Sequence, residues 1–276
     1  MKKIGILFNS RIAAAGDLAL ELQKALGKSK IKVWSCVAYD EAMTEAMLEG
    51  TDMIISLGGD GTVLRAARLA APQSIPILCV NLGNLGFTTE LTGQEAQSQV
   101  PRFLAGEGWV DERAMLQAEL PLKGGPLTIH ALNDVVVGRG SVMRVIRVKA
   151  STSGQPITTY KGDGVIVATA TGSTGYSLAA GGPILFPNAR EIILTPISSH
   201  LGLAAALVLS GESIIELEVQ TTHEARVSID GQIEFPLNSG DVVRVRRSPY
   251  TARLLRIQPR PFFHETLLKR LSGKGG

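Results

Sequence analysis

The first 105 residues alternate short β-rich runs with helical stretches, and this alternation constrains the fold more than any other feature of the sequence. Strands are expected at 4–8, 31–37, 53–57 and 75–80, with helices between them at 13–28, 41–49 and 62–71. Strand–helix–strand patterning of this kind produces a parallel sheet with helices on both faces. The sequence therefore predicts an α/β N-terminal domain with a Rossmann-like parallel sheet over residues 1–105.

Beyond residue 105 the helical periodicity nearly vanishes. β-type runs separated by Gly, Pro, Ser and Asn fall at 114–122, 127–137, 145–151, 165–169, 214–219, 225–229 and 242–246. Such a series predicts an antiparallel, sandwich-like all-β C-terminal domain over 106–256, interrupted at 171–180 by a polar turn and a short possible helix. The last stretch, 257–276, contains a possible helix at 265–271 that we expect to pack back on the first domain.

The composition excludes several classes of protein. Hydrophobic residues make up 45% of the chain and charged residues only 19%, as in a well-buried globular protein. No apolar run approaches the roughly 18 to 20 residues of a membrane-spanning helix, and the run at 4–8 is too short for a secretory signal. The two cysteines, Cys36 and Cys79, lie in strand-like apolar runs, which fits a reducing cytoplasm.

The net charge of +3 is too small to indicate a nucleic-acid partner, and aromatic residues do not alternate with basic ones as in single-strand binders. Basic residues are nevertheless concentrated after Asp241. Arg244 and Arg246 alternate with Val243 and Val245 at the strand period, which predicts one solvated face of a strand. The alternative is a positive field that attracts ligands carrying phosphate groups.

The motif with the clearest chemistry directly follows the third predicted strand and precedes a helix: Gly58-Gly59-Asp60-Gly61-Thr62. Glycines let the backbone approach a ligand closely, and the helix start offers free N–H groups and the positive end of its dipole. These features predict a phosphate loop. A carboxylate there repels phosphate unless it binds a metal ion or accepts a proton from an attacking hydroxyl. The alternative is a plain strand-to-helix turn in which Asp60 caps the helix.

The familiar nucleotide-binding signatures are absent from the sequence. It contains no G-x-x-x-x-G-K-[ST], no G-x-G-x-x-G after the first strand and no G-x-S-x-G. Phosphoryl transfer without a P-loop restricts the candidates to kinases that use a Gly-Gly-Asp-Gly loop.

Four further polar segments carry possible binding groups. Asn133 and Asp134 interrupt an apolar run in what looks like a strand, where an amide and a carboxylate need partners such as the hydroxyls of a ribose, or else a structural network. The others follow a strand or form Gly-rich turns, and each could be an irregular turn: Asn81-Leu82-Gly83-Asn84-Leu85-Gly86-Phe87, Tyr160-Lys161-Gly162-Asp163-Gly164 and Thr171-Gly172-Ser173-Thr174-Gly175-Tyr176-Ser177.

Taken in order, and with the late Asp230-Gly231-Gln232, these motifs resemble those of the NAD kinases over residues 58–232. The resemblance implies Mg²⁺-dependent transfer of the terminal phosphate of ATP to the 2′-hydroxyl of the adenosine ribose of NAD. It implies that Mg²⁺ is carried by ATP rather than held in a protein cage. It also implies a homodimer or homotetramer with the NAD site near a subunit interface.

By the same resemblance, Asp60 is the proton acceptor for the ribose hydroxyl, with Gly61 beside it. The phosphate loop comprises Gly58, Gly59, Gly61 and Thr62, and the residues implied to contact NAD are Asn133, Asp134, Arg144, Lys161, Asp163, Thr174, Gly175, Tyr176, Ser177 and Gln232. Four positions depart from the family pattern: Thr88 stands where Leu is common, Lys161 where Arg is frequent, Ala170 where Pro is common and Gly175 where Ala is usual. Lys offers a point charge in place of the Arg fork, so the Lys161 departure bears on substrate affinity.

Two other functions remain open from the sequence. A lipid or sphingoid-base kinase also carries the Gly-Gly-Asp-Gly-Thr loop, but it requires an apolar acceptor cleft. A non-catalytic NAD(P) sensor would have no use for a carboxylate that faces phosphates. The four histidines show no metal-ligand spacing: His130, His200, His223 and His264.

Overall fold

The computed structural model describes residues 1–83, 86, 88–122, 125–141, 144–199 and 204–259. The chain divides into two compact units: Met1–Glu112 with the segment that begins at Ala252, and Arg113–Thr251. Both crossings between the units fall inside strands, where no loop marks them in the sequence. The helix expected at 265–271 lies outside the described residues.

The first unit contains a parallel sheet in the order β2-β1-β3-β4. Its strands are β1 (Lys3–Phe8), β2 (Lys32–Val37), β3 (Met53–Gly58) and β4 (Ile77–Asn81). The short β5 (Leu91–Thr92) pairs with β4. The helices are α1 (Ala13–Gly27), α2 (Glu41–Leu48), α3 (Asp60–Ala70) and α4 (Gly93–Leu104). The four strands and three helices expected from the sequence are confirmed to within two residues at each end.

Burial explains why these segments adopt their structures. Every residue of β3 and β4 is buried, as expected for central strands covered by helices on both faces. Helix α1 buries one stripe, at Ala15, Leu18, Ala19, Leu22 and Leu26. Helix α4 was not predicted, because its sequence is polar and contains Pro101; a capping box between Thr92 and Glu95 fixes its start.

The second unit is an antiparallel β-sandwich, as the sequence predicts. Its strands are β6 (Trp109–Leu122), β7 (Gly125–Ala131), β8 (Asp134–Arg139), β9 (Ile146–Thr152), β10 (Gln155–Gly162), β11 (Gly164–Ala168), β12 (Ile192–Ile197), β13 (Leu207–Leu209), β14 (Ile215–Gln220), β15 (Ala225–Ile229), β16 (Ile233–Leu237) and β17 (Val242–Arg256). One sheet has the order β13-β12-β11-β8-β15-β16, and β10-β9-β14-β17 forms part of the other. The first residues of β6, up to Glu112, and the last residues of β17, from Ala252, belong to the first unit.

Side chains from both sheets form the sandwich core, among them Val135 and Val165 from one sheet and Val148 and Leu217 from the other. A single turn of 3₁₀-helix (Gly172–Thr174) leads into the four-residue α5 (Tyr176–Ala179), which confirms the short helix expected at 171–180. Arg244 and Arg246 are exposed on β17 while Val243 and Val245 are buried, which confirms the predicted solvated face. No described helix is long and apolar enough to cross a membrane.

One strand prediction was wrong in a way that matters for function. The run 127–137 was expected to be continuous, with Asn133 and Asp134 inside it, but β7 ends at Ala131 and β8 begins at Asp134. The two strands pair with different neighbours, because β7 pairs with β6 whereas β8 lies between β11 and β15. Asn133 therefore lies in a bend, where its N–H donates to the Asp230 side chain (2.7 Å) and its carbonyl accepts from the backbone N–H of Thr169 (2.9 Å).

Candidate active site

In the first unit, the Gly-Gly-Asp-Gly-Thr segment forms the junction between β3 and α3. Gly58 is the last residue of β3, Gly59 is the N-cap residue and Asp60 is the first residue of the helix. A Cβ at Gly58 would collide with the Thr62 hydroxyl, so only glycine allows the helix to start so close to the strand. The junction thus presents the N-terminal N–H groups of α3 at the carboxyl edge of a parallel sheet, as expected for a phosphate loop.

Asp60 does not cap the helix, because that position belongs to Gly59. The Asp60 Oδ1 atom instead accepts hydrogen bonds from both the backbone N–H (3.2 Å) and the hydroxyl of Thr88. Gly86 also packs against the carboxylate so closely that a Cβ there would overlap Oδ1. The carboxylate is therefore held by the segment that follows β4, the strand that pairs with β3.

That segment begins with Asn81, whose side chain folds onto its own backbone. The Asn81 amide donates to the Gly83 carbonyl (3.0 Å) and its oxygen accepts from the Gly83 N–H (3.2 Å), which closes a turn directly after β4. Asn84, Leu85 and Phe87 of the motif lie outside the described residues.

In the second unit, the bend at Asn133 is organised by Asp230. The Asp230 carboxylate accepts from the backbone N–H groups of Leu132 (2.9 Å), Asn133 (2.7 Å) and Asp134 (3.1 Å). On the other side, the Thr169 hydroxyl donates to the Leu132 carbonyl (2.6 Å). These hydrogen bonds take the place of strand pairing for the N–H groups at the bend. They fix the backbone that carries the Asn133 and Asp134 side chains.

The two side chains at this bend have unusual environments. The Oδ1 atom of Asn133 is buried and has no hydrogen-bond partner, although buried amide oxygens nearly always have one. Burial, together with the negative charge of Asp230, raises the pKa of Asp134 from 3.8 to about 7. An unsatisfied acceptor beside a carboxyl that titrates near neutral pH is typical of a ligand site.

The Gly-rich loop at 171–177 packs directly on this bend. A Cβ at Gly172 would overlap the Asn133 carbonyl, so this close approach requires glycine. Gly175 faces the Asn133 amide, with its hypothetical Cβ 3.9 Å from Nδ2. The loop and the bend therefore form one polar cluster, which we call the Asn133 cluster: Asn133, Asp134, Thr169, Gly172, Gly175 and Asp230.

The side chains of the loop point in different directions. The Thr174 hydroxyl donates to the Thr171 carbonyl (3.2 Å). The Tyr176 side chain is 48% exposed and available for stacking, whereas Ser177 is fully buried and bonds Thr195 (3.0 Å between hydroxyls). Of these residues, Tyr176 is the one whose side chain offers a ligand a large open face.

The remaining predicted NAD contacts lie in three settings. Lys161 and Arg144 line a cleft of about 690 Å³, and the Arg144 Nη1 atom lies 3.2 Å from His223 Nε2. Asp163 accepts from Arg139 Nε at 2.8 Å, so its carboxylate is held by an ion pair at the end of β10. Gln232 lies in the turn between β15 and β16, where its backbone N–H donates to the Ile229 carbonyl (2.9 Å).

Metal-binding side chains do not cluster in the part of the chain that the structure describes. No group of three or more His, Cys, Asp or Glu residues there is arranged to hold an ion.

The family resemblance implies no role for the side chains of Asp230, Thr88, Thr169 or Arg256. The Asp230-Gly231 pair does predict a hairpin turn, and both residues have positive φ (52° and 63°). The partners of the Asp230 carboxylate, however, lie nearly one hundred residues earlier in the chain. For Arg256 a signal existed, because a charged residue between Leu255 and Ile257 in a β-type run needs buried partners.

Asp230→Asn is expected to destabilise the protein by roughly 1 to 3 kcal/mol, because the new amide group would face a buried backbone N–H that needs an acceptor. Asn tolerates the positive φ of this position, so backbone strain does not contribute. Urea unfolding measures the loss. Glu234→Gln, on the exposed side of the adjacent strand β16, is the matched control and should change the free energy of unfolding by less than about 0.5 kcal/mol. A neutral effect of Asp230→Asn would contradict the role of Asp230 at the bend.

A Gly-Gly-Asp-Gly-Thr junction in an α/β unit, joined in one chain to an antiparallel β-sandwich, defines a two-domain kinase that works without a P-loop. The NAD kinase of Dehalococcoides mccartyi (strain CBDB1) is 47% identical to this chain over 99% of the chain and 96% of that protein. The chain belongs to the NAD kinase family.

Other comparisons agree with this assignment. The sequence profiles described as the ATP-NAD kinase N-terminal and C-terminal domains match residues 10–108 and 132–257. The NAD kinase of Chloroflexus aurantiacus (strain ATCC 29366 / DSM 635 / J-10-fl) is 39% identical over 98% of this chain and 99% of its own length.

Two solved structures share the fold. The structure of yeast NADH kinase complexed with NADH has a TM-score of 0.79 at 22% identity, covering 94% of this chain and 84% of that one. The structure of an NAD kinase from Archaeoglobus fulgidus in complex with ATP has a TM-score of 0.75 at 24% identity, covering 98% of each chain.

Proposed function

We propose that this protein is an NAD kinase that transfers the terminal phosphate of ATP to the 2′-hydroxyl of the adenosine ribose of NAD, giving NADP and ADP. The observation that carries the proposal is the Asp60 carboxylate, held by Thr88 at the first position of a helix that opens a glycine-rich loop. The relatives named NAD kinase support the proposal along almost the whole chain.

In this reaction the residues of the first unit act on the reacting groups. A sugar hydroxyl is a poor nucleophile at neutral pH, so Asp60 orients it and accepts its proton as the new P–O bond forms. The backbone N–H groups of Gly58, Gly59, Gly61 and Thr62 bind the phosphate groups of ATP and offset the charge that develops on the transferred group. Most of the rate acceleration comes from this positioning.

The residues of the second unit bind NAD. The unpartnered Oδ1 of Asn133 accepts a hydrogen bond from a hydroxyl of the dinucleotide. Asp134 donates or accepts a second hydrogen bond according to its protonation state. The exposed ring of Tyr176 stacks on a flat ring of the ligand. We assign the other predicted contacts to the same ligand: Arg144, Lys161, Asp163, Thr174, Gly175, Ser177 and Gln232.

Magnesium enters with ATP as part of the substrate. Its charge offsets that of the triphosphate oxygens. We further propose that the protein is a homodimer or homotetramer in the cytoplasm. Both cysteines are free and buried, as expected in a reducing compartment.

One assay separates this function from a lipid kinase and from a non-catalytic sensor. The full chain is incubated with Mg-ATP and either NAD or diacylglycerol, and NADP and phosphatidate are measured. We expect NADP from NAD and no phosphatidate. Phosphatidate would indicate a lipid kinase. Formation of neither product, with NAD binding shown by calorimetric titration, would indicate a sensor. Either result would overturn the proposal.

A further inference from the structure

We propose that Thr88 is a positioning residue for Asp60, and that its hydroxyl sets the orientation of the carboxylate that receives the substrate proton. The inference rests on the proposed function, because it assigns a catalytic consequence to a contact between these two side chains. Thr88 lies 28 residues after Asp60 in the sequence. Nothing in the Gly-Gly-Asp-Gly-Thr motif indicates that a residue so far along the chain contacts Asp60.

The contact is specific and enclosed. Two donors of Thr88, the backbone N–H (3.2 Å) and the hydroxyl, bond to the same atom, Asp60 Oδ1. Thr88 is only 3% exposed, so water does not compete freely for these bonds. Two donors on one oxygen restrain the side-chain torsions of Asp60 more tightly than the N–H alone would.

Thr88 is itself fixed by Arg256 of the returning strand β17. Arg256 Nη1 donates to the Thr88 carbonyl (2.9 Å), while its Nε atom bonds Asp111 (3.1 Å). Arg256 also forms an ion pair with Glu90 (3.3 Å). The Glu90 carboxylate in turn accepts hydrogen bonds from the backbone N–H groups of Ile257 (2.7 Å) and Gln258 (2.8 Å). The backbone that carries the Thr88 hydroxyl is therefore held by a buried ion-pair cluster.

The two donors of Thr88 can be separated by substitution. Valine retains the backbone N–H and loses the hydroxyl. Thr88→Val isolates that difference, because valine has nearly the same shape as threonine. We expect about a tenfold loss of kcat, smaller than the effect of removing the carboxylate, because the backbone donor remains.

The test compares three variants with the wild type. Thr88→Val should lower kcat about tenfold while the KM values for NAD and ATP stay within about twofold, and Thr88→Ser should restore kcat to within about twofold of the wild type. Thr44→Val is the matched control: it removes a buried hydroxyl bonded to the Asp40 carbonyl (2.8 Å) in the same unit, and kcat should not change. A kcat for Thr88→Val within twofold of the wild type, or a failure of Thr88→Ser to restore it, would refute the proposal.

Two further measurements show whether Thr88 acts through Asp60. In the Asp60→Asn background, Thr88→Val should have no additional effect on the residual turnover, because the group that it orients is gone. In crystal structures, the Asp60 carboxylate should take more than one orientation in Thr88→Val and a single one in Thr88→Ser. A single unchanged orientation in Thr88→Val would overturn the inference even if the wild type made no NADP, whereas the absence of NADP alone would refute only the proposed function.

Discussion

Asp60→Asn is expected to lower turnover by roughly 10²- to 10⁴-fold while the affinity for NAD changes little. Asparagine has nearly the same shape as aspartate, and its carbonyl oxygen can still accept the two Thr88 donors. It cannot accept the proton of the ribose hydroxyl. The loss is therefore confined to the transition state and should appear in kcat, with the KM for NAD nearly constant.

The measurement is steady-state kinetics with NAD and Mg-ATP, together with calorimetric titration of NAD. Asp40→Asn is a suitable control, because Asp40 is the N-cap residue of α2 in the same unit and asparagine caps helices equally well. It should leave kcat unchanged. Turnover of Asp60→Asn close to that of the wild type would show that the carboxylate does not accept the proton.

The sequence predicts best those parts of the fold that local patterns specify. Strands β3 and β4 are continuous apolar runs, and the glycines after β3 mark the strand-to-helix junction, so this junction and its place in the sheet follow from the sequence. Asp60 is predicted to be the reactive group because a carboxylate beside amides that bind phosphate would repel the ligand unless it bound a metal ion or accepted a proton.

The contacts that position these groups could not be predicted, because they join residues that are far apart in the chain. Asp230 replaces strand pairing at Asn133, and the apolar sequence around that bend suggests a continuous strand. Thr88 bonds Asp60, and the Thr88 carbonyl accepts a hydrogen bond from Arg256, 168 residues beyond it. Local propensity carries no information about such partners, so the sequence proposes reactive residues but not the groups that support them.

The second large effect concerns Asp134, and it appears in the pH dependence of stability. We expect the free energy of unfolding of the wild type to fall relative to that of Asp134→Asn by about 4 kcal/mol between pH 4 and pH 8. Burial and the neighbouring charge of Asp230 raise the pKa of Asp134 to about 7 in the folded protein, against 3.8 for an unperturbed aspartate. Between these two values the folded chain keeps a proton that the unfolded chain has released.

The sign follows from that difference in bound protons. Below about pH 4 both states are protonated and the stabilising contribution is fully present; it is lost as pH rises towards 7, by about 1.4 kcal/mol per pH unit. Asparagine does not titrate, so subtracting the Asp134→Asn curve removes the contributions that the two proteins share. Urea unfolding of both proteins at each pH from 4 to 8 gives the difference directly.

Asp230→Asn provides the internal control for this mechanism. Removing the charge of Asp230 lowers the pKa of Asp134, so the pH window over which Asp134 destabilises the fold should become narrower in that background. A difference between wild type and Asp134→Asn that stays constant with pH would show that Asp134 is ionised in the folded state already at low pH. In that case the carboxyl could only accept hydrogen bonds at neutral pH, and its proposed ability to donate one to NAD would be lost.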